Sequence, residues 1–338
     1  MKFFSTFITG FGSVVEATLK SNLKEVNIEL LLDGLIVYST NSLIEDVIKL
    51  RFLNNTFLLT NFFDKEQKYS IEQMIKVVLS EELKLPRNLV SNWKTFRIIT
   101  SLENKLIPVN NNLLLSLEEY ISENYGLKVN RSNPQMELWF ILRSEGYGFF
   151  GARLTKHRDY GKTLQKGELR PEFANILCLL SNPKSSDTFL DPFCGSGSIS
   201  IELAKSFPFN KILAGDNDKT KVLDLDKKVK AIKIDITVFQ IDALKLAGIE
   251  DNSIDKIITD PPWGYFGNQK LNLNVFYKGM LNSFYRVLKK DGLVVLLIGE
   301  RELLENLLSS FKDKFRLGNK FYTLISGKKA AAYVLTRL

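Results

Sequence analysis

Residues 259–264 read Thr-Asp-Pro-Pro-Trp-Gly, the most specific chemical signal in the chain. An exocyclic amine conjugated to an aromatic ring is a weak nucleophile because its lone pair is delocalised. A carboxylate and a neighbouring carbonyl that accept its two hydrogens localise that pair. Asp260 and the carbonyl of Pro261 suit those roles, and the paired Pro261 and Pro262 restrict the backbone that presents them. Trp263 would stack on the face of a base, worth about 1–3 kcal/mol by analogy with other stacked bases, and orientation would supply the rest of the rate. Taken alone, the same letters also spell a rigid turn with a buried tryptophan.

Context decides between these readings. A strand at Thr188–Asp191 leads into Asp191-Pro192-Phe193-Cys194-Gly195-Ser196-Gly197 and then a helix over Ser198–Lys205. Two alternate glycines let a backbone turn pass close to a ligand at the carboxyl edge of a sheet. The Gly-x-Gly-x-x-Gly dinucleotide fingerprint is absent, and an Asp ahead of the loop suits the cationic aminopropyl end of S-adenosylmethionine better than a pyrophosphate. Asp216, followed by Asn217, ends the next strand, where a carboxylate can accept both hydroxyl hydrogens of a ribose; a helix cap is the alternative. Asp242 after the third strand can receive an adenine amino group, with Ala243 supplying a backbone donor. One adenosine can reach Asp191, Asp216 and Asp242 together, and the Asp260 turn follows the fourth strand. Cys194 lies inside the loop and reads as a small packing residue, although pyrimidine C5 methylation would use a cysteine nucleophile.

The elements that position these residues form an alternating pattern. Strands at Thr188–Asp191, Lys211–Asp216, Thr237–Ile241, Ile254–Thr259 and Leu293–Ile298, separated by helices, predict a doubly wound parallel sheet. Phe321–Ile325 and Ala331–Leu335 around Ser326-Gly327-Lys328 predict an antiparallel hairpin at its edge. Upstream, residues 1–55 read as a small α+β unit with a hairpin turn at Asp33-Gly34 and a helix over Leu43–Phe52 capped by Ser42. Residues 56–150 repeat the mixture, with helices at Ser70–Leu83 and Asn112–Asn124, and a turn at Gly146-Tyr147-Gly148. Residues 151–171 carry Arg153, Lys156, His157, Arg158, Lys162, Lys166 and Arg170 against Asp159 and Glu168, and read as a basic linker. Lys156 and Arg158 join Pro262 as expected substrate contacts, while Trp139 and Tyr160 read as core residues.

The chain has 338 residues, 46 Lys and Arg against 38 Asp and Glu, and a net charge of +8, which favours a polyanionic partner. Two cysteines and one histidine lack metal-ligand spacing, so no metal is expected. The apolar N-terminus is interrupted by Ser5 and Thr6 and reads as a strand, not a signal sequence. No apolar run reaches the ~20 residues that a membrane helix needs. A cytoplasmic monomer is expected, low cysteine use fitting a reducing compartment.

With these residues in place the chain resembles the THUMP-domain RNA guanine-N2 methyltransferases. The resemblance rests on Leu190-Asp191-Pro192-Phe193-Cys194-Gly195-Ser196-Gly197, on Leu169-Arg170-Pro171-Glu172-Phe173-Ala174, on Asp260-Pro261-Pro262-Trp263-Gly264 and on Ser326-Gly327-Lys328-Lys329-Ala330. It implies a class I Rossmann-like methyltransferase domain over residues 172–338, preceded by a ferredoxin-like piece (1–55) and a THUMP domain (56–150) that hold RNA. Asp191, Phe193, Gly195 and Gly197 would then line the methionine end of S-adenosylmethionine, with Asp216 and Asn217 at ribose and Asp242 and Ala243 at adenine. Asp260, Pro261 and Trp263 would hold a guanine amino group, most simply in transfer RNA. Trp263 stands where the family usually has Tyr or Phe, and Tyr265-Phe266-Gly267-Asn268-Gln269-Lys270 matches no family signature. Ribosomal RNA, adenine N6 in DNA, and an RNA-binding protein without activity are the competing readings.

Overall fold

The computed structural model describes the chain except residues 82, 84, 156–163, 165–167, 265–271 and 326, and the side chains of residues 88 and 89. It separates into two compact units: residues 1–6, 19–49 and 55–158, and residues 7–18, 50–54 and 159–338.

The first unit is built on strands β1 (Lys2–Thr6), β2 (Asn27–Leu32), β3 (Leu35–Ser39), β4 (Asn55–Phe63), β5 (Thr95–Leu102), β6 (Lys105–Leu106), β7 (Lys128–Val129), β8 (Met136–Leu142) and β9 (Gly148–Arg153). Among the described residues they form one sheet in the order β2-β3-β1-β4-β9-β8-β5-β6, with β7 beside β5. The sheet runs without a break across residues 55 and 56, because β1 and β9 both pair with β4. Helices α1 (Gly12–Asn22), α2 (Ile44–Ile48), α3 (Ile71–Ser80), α4 (Arg87–Val90) and α5 (Asn111–Tyr125) complete the N-terminal half of the chain. A core of Met74, Ile75, Phe96, Leu117, Ile121 and Phe140 joins α3 and α5 to the sheet. Ser70 and Gln73 form a reciprocal capping box that starts α3. Trp139 is half-buried, its indole N–H donates to Glu137, and the Arg153 guanidinium lies 5.9 Å from its ring centroid.

Two expectations are corrected here. The helix expected over Leu43–Phe52 covers only Ile44–Ile48, and Ser42 does not cap it. The Ser42 hydroxyl instead accepts the Lys24 backbone N–H at 2.7 Å, so its capping capacity is already taken. Residues 151–153 are not linker but the end of β9, paired with β4 and β8. A Cβ on Gly151 would lie 2.2 Å from the Leu58 carbonyl oxygen, so this glycine permits close strand approach where the sequence suggests a break.

The second unit follows the alternating plan: α6 (Pro171–Leu180), β10 (Thr188–Asp191), α7 (Ser198–Ser206), β11 (Lys211–Asp216), α8 (Lys219–Ala231), β12 (Thr237–Gln240), β13 (Ile254–Thr259), α9 (Leu273–Val287), β14 (Leu288–Ile298), α10 (Arg301–Ser309), β15 (Phe315–Ile325) and β16 (Lys328–Arg337). The strand order is β12-β11-β10-β13-β14-β16-β15. The first five run parallel, and β16 is antiparallel to both β14 and β15, as the late hairpin predicts. Leu190, Ile257, Tyr277, Phe284, Val294, Leu296 and Tyr333 form its core. The segment 7–18 belongs here too: Phe11 is fully buried, stacked 5.3 Å from Phe321 and edge-on to Phe173. Arg51 holds the buried Glu202 of α7 with two hydrogen bonds of 2.7 and 2.5 Å.

Candidate active site

The carboxyl edge of the parallel sheet carries, in strand order from β12 to β14, Asp242, Asp216, Asp191, Asp260 and Gly299. Register places them side by side, with Asp216 opposite Gln240, Asp191 opposite Ala214, and Thr259 opposite Leu296. The chain order of the strands reverses between β10 and β13, which is where open α/β sheets bind ligands.

Asp191 ends β10 with its side chain buried. Its Oδ1 accepts the Thr259 hydroxyl at 2.7 Å and the Phe193 N–H at 3.3 Å. Burial pushes its carboxyl up to about 7 against those hydrogen bonds, and the neighbouring Asp216 adds to the rise. The loop that follows turns back on itself: the Cys194 N–H donates to the Gly215 carbonyl at 2.8 Å, and Gly197 donates to the Cys194 carbonyl at 2.7 Å. Gly195 and Gly197 both have left-handed φ, +50° and +82°. A Cβ on Gly197 would lie 2.3 Å from a Leu225 methyl, whereas on Gly195 it would meet nothing nearer than the Phe193 carbonyl oxygen at 4.0 Å. The first glycine faces open space and the second is demanded by packing. Cys194 is buried, and that burial pushes its thiol well up, as befits a packing residue.

Asp216 accepts the Gly195 N–H at 3.0 Å through one oxygen and the Asp218 N–H at 2.9 Å through the other. Its helix-cap alternative is settled, since Asp218 caps α8 by accepting from Thr220. Asn217 is exposed and its carbonyl accepts from Gln240. Asp242 accepts the Leu244 N–H at 2.9 Å, beside the buried Ala243. Phe193 is half-buried, its ring 5.8 Å from Phe276.

Asp260 is half-buried immediately beyond β13. Its Oδ1 accepts the Trp263 indole N–H at 2.9 Å, and among the described residues Oδ2 has no hydrogen-bond partner. Burial pushes its carboxyl up to about 8; the indole opposes that rise and the charge of Asp191 reinforces it. The Pro262 carbonyl is taken by the Tyr277 hydroxyl at 2.8 Å, while the Pro261 carbonyl has no hydrogen bond among the described residues. The turn therefore presents one carboxylate oxygen and one carbonyl without protein donors. Asp260 Oδ2 and the Pro261 carbonyl thus stand in one turn with no hydrogen-bond donor among the described residues.

Sequence reasoning quoted Thr259 in the motif without giving it a role and did not find Tyr277, Leu297 or Gly299, which reach the site from other parts of the chain. Lys156, His157, Arg158, Tyr160 and the stretch 265–270 lie outside the described residues. A cavity of about 380 Å³ lies at the opposite, amino edge of the sheet, lined by Thr188, Lys211, Ser253 and Ile254 among others. It contains none of the expected site residues.

Residues 158–324 match the UPF0020 family, described as an RMKL-like methyltransferase domain. The chain is 31% identical over 188 residues to the human U6 snRNA (guanine-N(2))-methyltransferase THUMPD2, a match covering 53% of this chain and 35% of the relative. It is 29% identical over 195 residues to the tRNA (guanine(6)-N2)-methyltransferase of Thermus thermophilus, covering 56% of this chain and 58% of the relative. The matched part thus spans about a third to just over half of these relatives' lengths. The solved structure of TrmN from Thermus thermophilus superimposes with a TM-score of 0.80 over 100% of this chain and 99% of that one, at 22% identity. The fold is that of class I methyltransferases preceded by an α+β region.

Proposed function

We propose that this chain transfers the methyl group of S-adenosylmethionine to the N2 amine of a guanine in structured RNA, with transfer RNA as the first candidate. The relatives at about 30% identity bear guanine-N2 methyltransferase names, and their substrates are RNAs. The observation that carries the reading is the occurrence in one turn of the Asp260 Oδ2 and the Pro261 carbonyl, two acceptors without donors among the described residues, one strand from the buried Asp191.

The residues of the carboxyl edge fit S-adenosylmethionine. Gly195 leaves room where a Cβ would stand, Asp191 is a buried acid that a cation would relieve, and Asp216 and Asp242 lie successively farther along the edge. The bound cofactor would supply an electrophilic methyl on a sulfonium. Asp191 with Phe193 and Gly195 would hold its amino-acid end, Asp216 and Asn217 its ribose, and Asp242 with Ala243 its adenine. Asp260 would accept one hydrogen of the guanine amine and the Pro261 carbonyl the other, aiming the nitrogen lone pair at the methyl. Asp260 is placed to take the proton that the amine loses, and Pro262 and Trp263 would flank the base. The guanine must leave its stack to reach them.

Residues 1–55 and 56–150 would form a ferredoxin-like piece and a THUMP-like domain that share the continuous first sheet. With the basic segment that remains between β9 and α6, residues 154–170 including Lys156 and Arg158, they would grip the RNA backbone, the protein acting as a monomer. The test is incubation of purified protein and a labelled methyl donor with transfer RNA, ribosomal RNA and DNA, followed by nucleoside mass spectrometry. Label in N2-methylguanosine from transfer RNA is expected. Label only in DNA adenine would overturn the reading.

A further inference from the structure

The sequence reading gives Trp263 a stacking role. Its position shows a second one. The indole N–H is shared between the Asp260 Oδ1 at 2.9 Å and the Leu297 carbonyl at 3.2 Å. The ring lies directly over Gly299: a Cβ there would sit 2.6 Å from Cε3 and 2.8 Å from Cδ2 of the indole. The neighbouring Pro262 carbonyl is fastened by Tyr277. The turn is thus tied to β14 on one side and to α9 on the other.

We infer that Trp263, seated on Gly299, is a positioning residue that turns Oδ1 of Asp260 inward and Oδ2 toward the reacting amine. The inference rests on the proposed function for its catalytic meaning, but the geometry belongs to the chain itself. A phenylalanine at 263 would keep a ring for stacking and lose the donor, and a tyrosine would carry its donor at the far end of the ring. The charge of Asp191, on the adjacent strand, disfavours ionisation of Asp260. The indole hydrogen bond favours the ionised form of Asp260 and offsets part of the rise that burial and that charge impose.

The test follows the three indole N–H signals of the full chain by NMR between pH 5 and 10, with Trp263→Phe assigning the third. The Trp263 signal is expected to titrate with Asp260, to stop titrating in Asp260→Asn, and to lose its hydrogen-bonded shift in Gly299→Ala while the Trp93 and Trp139 signals stay in place. In methyl transfer, Trp263→Phe is expected to lower kcat about tenfold, the equivalent of one charge-assisted hydrogen bond, and to leave KM for RNA within about twofold. Its rising pH limb should move upward. A Trp263 signal indifferent to pH and to Asp260→Asn, or a Trp263→Phe enzyme with wild-type kcat and pH profile, would overturn the inference. If the wild-type chain methylates no RNA, the proposed function fails, and the titration still decides what Trp263 does.

Discussion

The hydroxyl of Thr259, the last residue of β13, donates to Oδ1 of Asp191, the last residue of β10, across 2.7 Å. Two adjacent strands are thereby joined at the point where the sheet's order reverses. Asp191, proposed to face the cofactor, and the turn proposed to face the substrate share a fixed spacing as a result, because Asp260 is the next residue after Thr259.

That buried acid makes stability depend on pH. The Asp191 carboxyl is raised from 3.8 to about 7, chiefly by burial, so between those values the folded chain keeps a proton that the unfolded chain has released. Its contribution therefore declines as pH rises through that window, by about 1.4 kcal/mol per unit in its interior. Asp191→Asn should remove the slope. Urea unfolding of both proteins at pH 5 and pH 7 should show the variant gaining on wild type at the higher pH.

On the proposed function, removing the Asp260 carboxyl should abolish an acceptor for the reacting amine. Asp260→Ala is expected to lower methyl transfer about 10²-fold, as when other preorganised polar partners are deleted. Binding of S-adenosylhomocysteine, followed by calorimetry, should change little.

The ionised form of Asp260 is the better acceptor, and its carboxyl is pushed up to about 8 before any cation binds. The rate should therefore rise with pH along a limb centred no higher than about 8, because a bound sulfonium can only pull that value down. Single-turnover rates between pH 5.5 and 9 should show this limb in wild type and a flat line in Asp260→Asn.

The two loop glycines should respond differently to alanine. At Gly195 the cost is that of left-handed backbone alone, about 1–2 kcal/mol, since a Cβ there meets open space. At Gly197 the same strain is joined by a clash with Leu225, so thermal unfolding should show the larger loss there. Gly195→Ala should instead act on cofactor affinity, which isothermal titration would resolve.

Arg51 and Glu202 join a short segment near residue 50 to the helix that follows the glycine loop. Glu202 also accepts from Asn175 at 2.8 Å and Ser206 at 2.7 Å, with its side chain 3% exposed. Arg51→Ala would leave that charge buried without its cation, at a cost of about 3 kcal/mol. Denaturant midpoints for Arg51→Ala and the double variant Arg51→Ala/Glu202→Gln should show the second change restoring part of the loss.

Much of the second unit was legible in the sequence because apolar runs ending in Asp or Gly mark both a strand and its carboxyl end. Asp191, Asp216, Asp242 and Asp260 announced themselves in this way. The first unit was harder: β9 hides behind Gly148 and Gly151, whose roles are set by the approach of Met74 and Phe63 to the one and of Leu58 to the other, and not by local turn chemistry. Ser42 looked like a cap because a hydroxyl before a helical pattern usually is one, but the Lys24 amide, in the bend between α1 and β2, reached it first. At the site, the hold of Leu297 and Gly299 on Trp263 was invisible because no local pattern records which distant backbone an indole will meet.

The place of the nucleoside cofactor on the sheet is the most direct measure of whether these acids form one site. A crystal structure with S-adenosylhomocysteine is expected to show its sulfur in the gap between Asp191 and Asp260, its ribose on Asp216 and its adenine beside Asp242. Density for the ligand at the amino edge, in the cavity lined by Thr188, Lys211 and Ser253, or anywhere out of reach of Asp260, would contradict it.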